Sequence, residues 1–170
     1  MYQFNNFLLS TAEKEHLTHI TKWANEGRFK SINVKKHKLG TKTIEILLSQ
    51  LPSNTQLLVL MMNKELLGFC EIYCIDYISR TCYLNIYLDN MDQNFVLHGY
   101  NVIGMLCNYI YTIVGLNKIT TELLLEDGMT ISVFKQRNFK TEVHKRAHIV
   151  SAGSYKTAIE LALLKSEARP

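Results

Sequence analysis

The sequence predicts an α/β (α+β) domain built on a mixed, mostly antiparallel sheet, and three observations predict it. Between positions 83 and 139 the chain reads strand, loop, helix, strand, helix. Upstream, apolar runs at 55–62, 65–78 and 83–88 follow one another through short breaks, the pattern of neighbouring antiparallel strands. The helix after 88 is long enough to cross the sheet, so the strands on either side of it are expected to lie parallel. The 170 residues amount to a single domain, 1–170, with one sizeable core.

Residues 2–9 alternate loosely and read as a first strand. Ser10 with Glu13 has the capping-box pattern, and Leu17, Ile20, Thr21, Trp23 and Ala24 carry a helix to about Glu26, where Gly27 stops it. His16 and His19 share helical spacing without further ligands nearby, and read as surface histidines. A second helix is expected over 43–51, with Ile44, Leu47 and Leu48 on one face and Pro52 after it. The continuous apolar run 55–62 fits a strand covered on both faces. Asn63 and Lys64 then turn the chain into 65–78, where Leu67, Phe69, Glu71, Tyr73 and Ile75 are expected to share a face. Ser79 and Arg80 turn it again into the run at 83–88. After a polar break, a helix opens at 98–101 with Val102, Ile103, Leu106, Tyr109, Ile110 and Ile113 at spacings of three and four, and Gly115 ends it. A strand follows at 118–125, and Asp127 caps a helix that ends near Asn138 and Phe139.

A chain 47% hydrophobic and 20% charged has the composition of a soluble globular protein. No apolar run reaches the length of a membrane span, and the first residues lack the basic start and apolar stretch of a signal peptide. The expected location is therefore cytoplasmic, with no membrane partner. Cys70, Cys74, Cys82 and Cys107 form no Cys-x-x-Cys pair and sit in apolar runs, where cysteine behaves as a small hydrophobe; no disulfide and no metal are expected. The net charge of +4 is uneven: Arg28, Lys30, Lys35, Lys36, Lys38 and Lys42 fall in one stretch with no acidic residue among them. That stretch is either a solvated loop or a surface for an anionic partner such as a nucleotide-linked sugar, a carrier protein or RNA.

Three stretches, taken in order, carry a resemblance. His98, Gly99 and Tyr100 open a helix after a strand; Gly115 to Ile119 lead into the next strand; and Glu126 to Phe139 form a helix of characteristic length. They resemble the pyrophosphate loop, the following strand entrance and the last helix of the GNAT superfamily of acyl-CoA-dependent N-acyltransferases. The likeness is greatest to its ribosomal-protein N-terminal and amino-sugar N-acetyltransferases. Residues 145–164 resemble that family's last two strands, which brings the expected fold to about seven strands flanked by four helices.

In that family two parallel strands splay apart and the thioester arm of the donor enters the gap. The resemblance places the backbone of Ile86, Tyr87 and Leu88 along this arm, and the pyrophosphate on helix-start amides of Val96, His98, Gly99, Tyr100 and Asn101. Val96 stands where the family has Arg or Gln, and only Gly99 remains of its glycine-rich run, while His98 offers a hydrogen-bonding group near phosphate. Asp127 stands at the family's Asn, Thr130 at its Ser, and Phe134 where many members carry a Tyr that protonates the leaving thiolate. All three are implied contacts of the donor, with Thr130 also a candidate for assisting the thiolate through its hydroxyl or a water. For the amine's proton the candidates are Glu71, Asn85, Tyr87 and Asp89, since a base within reach of the amine, directly or through water, suffices. Glu71 reads equally as a solvent-facing strand residue, and Tyr73, Tyr83 and Tyr87 either shape an acceptor pocket or simply pack. The first two helices and the basic stretch would form the acceptor wall.

The resemblance thus implies an N-acyltransferase, in its simplest form moving acetyl from acetyl-CoA to a primary amine. The amine would belong to a small molecule, an amino sugar or a protein N-terminus, an anionic acceptor being one of the two readings of the basic stretch, and the enzyme would be a monomer or homodimer. Two alternatives stand beside it: an acyl carrier protein as donor, and a catalytically inactive binding module.

Overall fold

The computed structural model describes residues 1–25, 29–31, 51–89, 95–151 and 153–168. In chain order the elements are β1 (Tyr2–Phe4), β2 (Phe7–Thr11), α1 (Lys14–Asn25), β3 (Phe29–Ser31), β4 (Gln56–Met62), β5 (Glu65–Asp76) and β6 (Thr81–Asp89). They continue with α2 (Phe95–Tyr109), β7 (Lys118–Leu124), α3 (Gly128–Gln136), β8 (Lys140–Ser151) and β9 (Ser154–Leu164). One sheet runs β1-β2-β4-β5-β6-β7-β9-β8, with β3 pairing β6. All pairings are antiparallel except β6 with β7, the neighbours that the long crossover helix implied.

The expected mixed, mostly antiparallel sheet is present, with nine strands and three α-helices among the described residues. Residues 2–9 make a hairpin rather than one strand, because Asn5 adopts a left-handed φ of 55° and folds β1 back on β2. Ser10 lies in β2 opposite Val59, so it is a strand residue and caps no helix. Asn63 and Lys64, both at positive φ, make the expected tight turn into β5. The helix expected at 43–51, apart from Leu51, and most of the basic stretch lie outside the described residues.

The sheet has two unlike faces. On one, Leu60, Cys70, Ile72, Leu84 and Ile86 pack with Val102, Ile103 and Leu106 of α2 and Phe134 of α3. On the other, Val59, Phe69 and Tyr87 meet Ile20 of α1. Leu67 and Ile75 join the first face, not that of Phe69 as alternation predicted. The β4–β5 register slips between Leu60 and Met61, and the β5–β6 register slips between Tyr73 and Asp76, where Cys74 takes a φ of 49°. Each irregularity moves the residues beyond it to the opposite side of the sheet.

The end of α2 departs from the helical pattern for a similar reason. Ile110–Val114 forms a π-helical turn, closed by Gly115 at φ 81°. A π turn shifts the side chains around the axis, so Tyr111 is buried and Ile113 is 63% exposed. The β5 irregularity leaves Cys74 exposed to solvent, while Cys70, Cys82 and Cys107 are buried as expected. Burial pushes the Cys82 and Cys107 thiols up to about 12 and raises Cys70 as well, which suits inert packing.

Candidate active site

The site begins where β6 and β7 part. Their parallel register covers Thr81↔Lys118, Cys82↔Ile119 and Tyr83↔Thr120, and no later residue of β6 has a register partner in β7. Yet β6 continues to Asp89, held along β5 and joined at Tyr87–Asp89 by β3. Two parallel strands thus run side by side for three residues and then diverge. Gly68 keeps β6 tight against β5, because a Cβ there would collide with the Tyr87 carbonyl oxygen. The divergence therefore falls on the β7 side.

Alternation along β5 and β6 places Glu71, Tyr73, Tyr83, Asn85 and Tyr87 on the α1 side of the sheet. Asn85, only 2% exposed, donates its Nδ2 to Glu71 Oε2 at 2.9 Å. The two are direct cross-strand partners, so the contact is set by the register. A half-buried carboxylate is thereby fixed on the strand next to the divergence. Tyr73 and Tyr83 lie beside it, with ring centroids 5.6 Å apart. Burial and then the Glu71 charge raise the Tyr73 and Tyr87 phenols far above the ordinary value. Tyr87 stacks on Phe69 at 4.4 Å and is 7% exposed, so it packs in the small core under α1.

Three residues that the sequence reading passed over complete this face. Glu122 of β7 and Glu160 of β9 are direct register partners. Lys145 of β8 donates to Glu122 at 2.6 Å and to Glu160 at 2.5 Å. Tyr83 donates its hydroxyl to the same Glu160 at 3.3 Å, which ties the network to the last paired residue of β6. His148 Nε2 lies 3.5 Å from Glu122. Desolvation opposes the Lys145 charge, but hydrogen bonds to both carboxylates outweigh it and raise the ammonium pKa. The signal was available in the strands as single acidic residues among apolar ones; their partner sits on a strand whose place in the sheet was not.

The other expected residues sit at the opposite face or at the helix starts. α2 opens at Phe95, not at 98, so the N–H groups without helical partners belong to its first turn, around Phe95, Val96 and Leu97. Gly99, Tyr100 and Asn101 fall in the second turn, where an α-helical ladder engages their amides. Val96 and Leu97 are exposed, Gly99 is buried, and His98 packs edge-on against Phe7 at 6.2 Å. The Tyr100 ring carries Arg137, whose guanidinium lies 3.6 Å above it and donates to the Tyr100 carbonyl. Asp127 caps α3 as predicted, accepting from Thr130 N at 3.2 Å. Its second oxygen accepts from the Thr130 hydroxyl at 2.7 Å, so that proton is already engaged. Phe134 is fully buried, edge-on to Phe139 at 5.0 Å. The structure therefore unites Glu71 with Asn85 beside the divergence. Thr130 and Phe134 lie on α3, which packs against the other face, and Ile86 and Leu88 pack their side chains there as well.

A cavity of about 370 Å³ lies elsewhere, lined by Phe4, Asn108, Tyr111, Arg137 and Lys165 among others. It borders the C-terminal ends of α2 and α3, away from the divergence. Among the described residues no group of three His, Cys, Asp or Glu could hold a metal, and no helix is long and apolar enough to cross a membrane.

Neither a family model nor a curated protein matches the sequence. Solved structures do match. A spermidine N-acetyltransferase SpeG chimera from Vibrio cholerae and hSSAT superposes with a TM-score of 0.84 at 19% identity, covering 95% of this chain and 97% of its own. The spermidine N-acetyltransferase from Vibrio cholerae in complex with CoA and spermine gives 0.81 at 19% identity, covering 96% and 98%. A dodecameric form of that enzyme in an intermediate state gives 0.80 at 19% identity, covering 96% of each chain. At such identities the likeness is one of fold, and the fold is that of the GNAT superfamily of N-acetyltransferases.

Proposed function

We propose that this chain is an N-acyltransferase that moves an acyl group, most simply acetyl from acetyl-CoA, to the primary amine of a small molecule. The divergence of β6 from β7 beside the Glu71–Asn85 pair carries this reading. The thioester arm would lie along β6 at Asn85 and Ile86, between the end of its pairing with β7 at Tyr83 and the start of its pairing with β3 at Tyr87, where a backbone N–H can polarise the carbonyl as the tetrahedral centre forms. The pyrophosphate would sit on the first turn of α2, where free amides and the helix dipole favour an anion. The exposed Val96 and Leu97 side chains leave those amides reachable but add no positive charge. The solved CoA complex of a protein with this fold supports the same donor.

Glu71 is the proposed base. The amine nitrogen attacks the thioester carbonyl, a C–N bond forms, the C–S bond breaks, and the ammonium proton passes to Glu71 directly or through water. Asn85 keeps the accepting carboxylate turned toward the strand that holds the thioester. The departing thiolate takes its proton from water, because Phe134 has no acidic hydrogen and the Thr130 hydroxyl already donates to Asp127. With a thiol pKa near ~8.5 the thiolate is a fair leaving group without a dedicated acid. The acceptor is proposed to be a cationic small amine, as the fold neighbours act on polyamines and two tyrosines with a carboxylate suit an ammonium.

The test is release of free thiol from acetyl-CoA with a panel of butylamine, phenethylamine, spermidine, glucosamine and short peptides. Amine-dependent release is the expected result. No release with any amine, together with no thermal stabilisation by CoA at millimolar concentration, would leave the binding-module reading in its place.

A further inference from the structure

The carboxylates of Glu122 and Glu160 face the same side of the sheet as Glu71, on the far side of the β6–β7 divergence. Tyr83 joins them to the last paired residue of β6, and Tyr73 feels the charges of both Glu71 and Glu122. An acceptor lying over this face with its reacting amine near Glu71 would reach Glu122 and Glu160 with its other end. Such a carboxylate pair would hold a second ammonium well. In this chain an ammonium is already there: Lys145, bonded to both carboxylates, with the Glu122 and Glu160 side chains only 16% and 11% exposed.

Resting on the acyltransfer reading above, we propose that Lys145 determines acceptor specificity. Its ammonium fills the place a polyamine's second cation would take, and leaves Glu71 as the carboxylate open to the acceptor among the described residues of this face. The cleft then selects amines with one positive charge and an apolar remainder that can lie on Tyr73 and Tyr83. Glu122 and Glu160 hold the lysine in place rather than the acceptor.

The experiment compares phenethylamine with spermidine as acceptors for wild type and for Lys145→Met, which keeps the apolar stem and removes the charge. Wild type should favour phenethylamine in kcat/KM by at least about tenfold, the worth of one partly desolvated ion pair. Lys145→Met should narrow or reverse that ratio by a similar factor, chiefly through a lower KM for spermidine. Lys145→Arg, which keeps the charge, should retain the wild-type preference. A second readout needs no turnover. Lys145→Met leaves two carboxylates close together, so its melting temperature should fall and spermidine should restore it, while spermidine should leave wild type unmoved. A merely structural lysine would give the fall without the restoration. Wild type that prefers spermidine overturns the proposal even if Lys145→Met does not fold, and so does an unchanged ratio in a folded Lys145→Met. Failure of every amine with wild type, together with no thermal stabilisation by CoA, would instead remove the acyltransfer reading, and the spermidine-dependent melting of Lys145→Met would still decide whether the place exists.

Discussion

Asn85 is nearly inaccessible, and its amide points at a carboxylate rather than into the apolar core. A buried amide with a fixed carboxylate partner makes a sharp prediction. Glu71→Gln keeps a side-chain oxygen for Asn85 but cannot take the amine's proton. It should lower kcat by about 10²-fold or more while leaving the CoA-dependent melting shift intact. Equal turnover in the two proteins would remove Glu71 as base. Phe134→Tyr tests the opposite face. Phe134 is fully buried against Phe139, so a hydroxyl there enters a packed core and should cost about 1–3 kcal/mol in denaturant unfolding without raising the rate. Glu71 was legible in the sequence because a carboxylate interrupts an otherwise apolar strand. The Glu122–Lys145–Glu160 network was not, because it depends on β9 lying between β7 and β8, and single residues carry no sign of strand order.

Among the elements, turn chemistry was the most readable and register the least, while capping was read correctly at Asp127 and not at Ser10. Asp127 was legible as a cap and is one, so Asp127→Ala should destabilise by about 1 kcal/mol, seen as a lower denaturation midpoint. Bulges in β5 and the π turn after α2 were hidden, since each alters periodicity by one residue inside a run that stays apolar. The β5–β6 turn gives a pH prediction. Asp76 accepts from the amides of Ile78 and Ser79, both at 2.9 Å, and hydrogen bonding, from Ser79 first, holds its carboxyl below the usual value. A lowered folded-state pKa means that the stabilising contribution is present above the unfolded value near ~3.9 and is lost as pH falls through the folded one. The stability gap between wild type and Asp76→Ala should therefore hold from neutral pH to about 5 and shrink below about 4. A gap that stays constant to the bottom of that range would mean the carboxylate's charge contributes nothing to the turn.

At the scale of the whole molecule, the proposed donor site rests on two parallel strands that part and a helix that starts beside them. The order of strand, helix, strand was visible in the sequence, but the start of α2 was placed three residues late, because the polar break hid its first apolar residues. That correction changes which substitution tests the donor site. Gly99 is buried, so a large residue there would disturb packing and donor binding together. Leu97 is 58% exposed in the first turn, beside the amides proposed to hold the pyrophosphate. Leu97→Glu places a negative charge at the positive end of the helix dipole, worth up to about 0.3–1 kcal/mol of added stability in the free protein. The same charge repels a pyrophosphate. Bound at about 100 times its dissociation constant, CoA should stabilise wild type by about 2.7 kcal/mol, a rise of roughly 5–10 °C in melting temperature for a chain of this size. In Leu97→Glu the melting temperature without CoA should stay level or rise slightly, while most of the CoA-dependent rise disappears. Because the two effects have opposite signs, loss of folding cannot imitate loss of binding. A full CoA-dependent rise in this variant would move the pyrophosphate away from the start of α2.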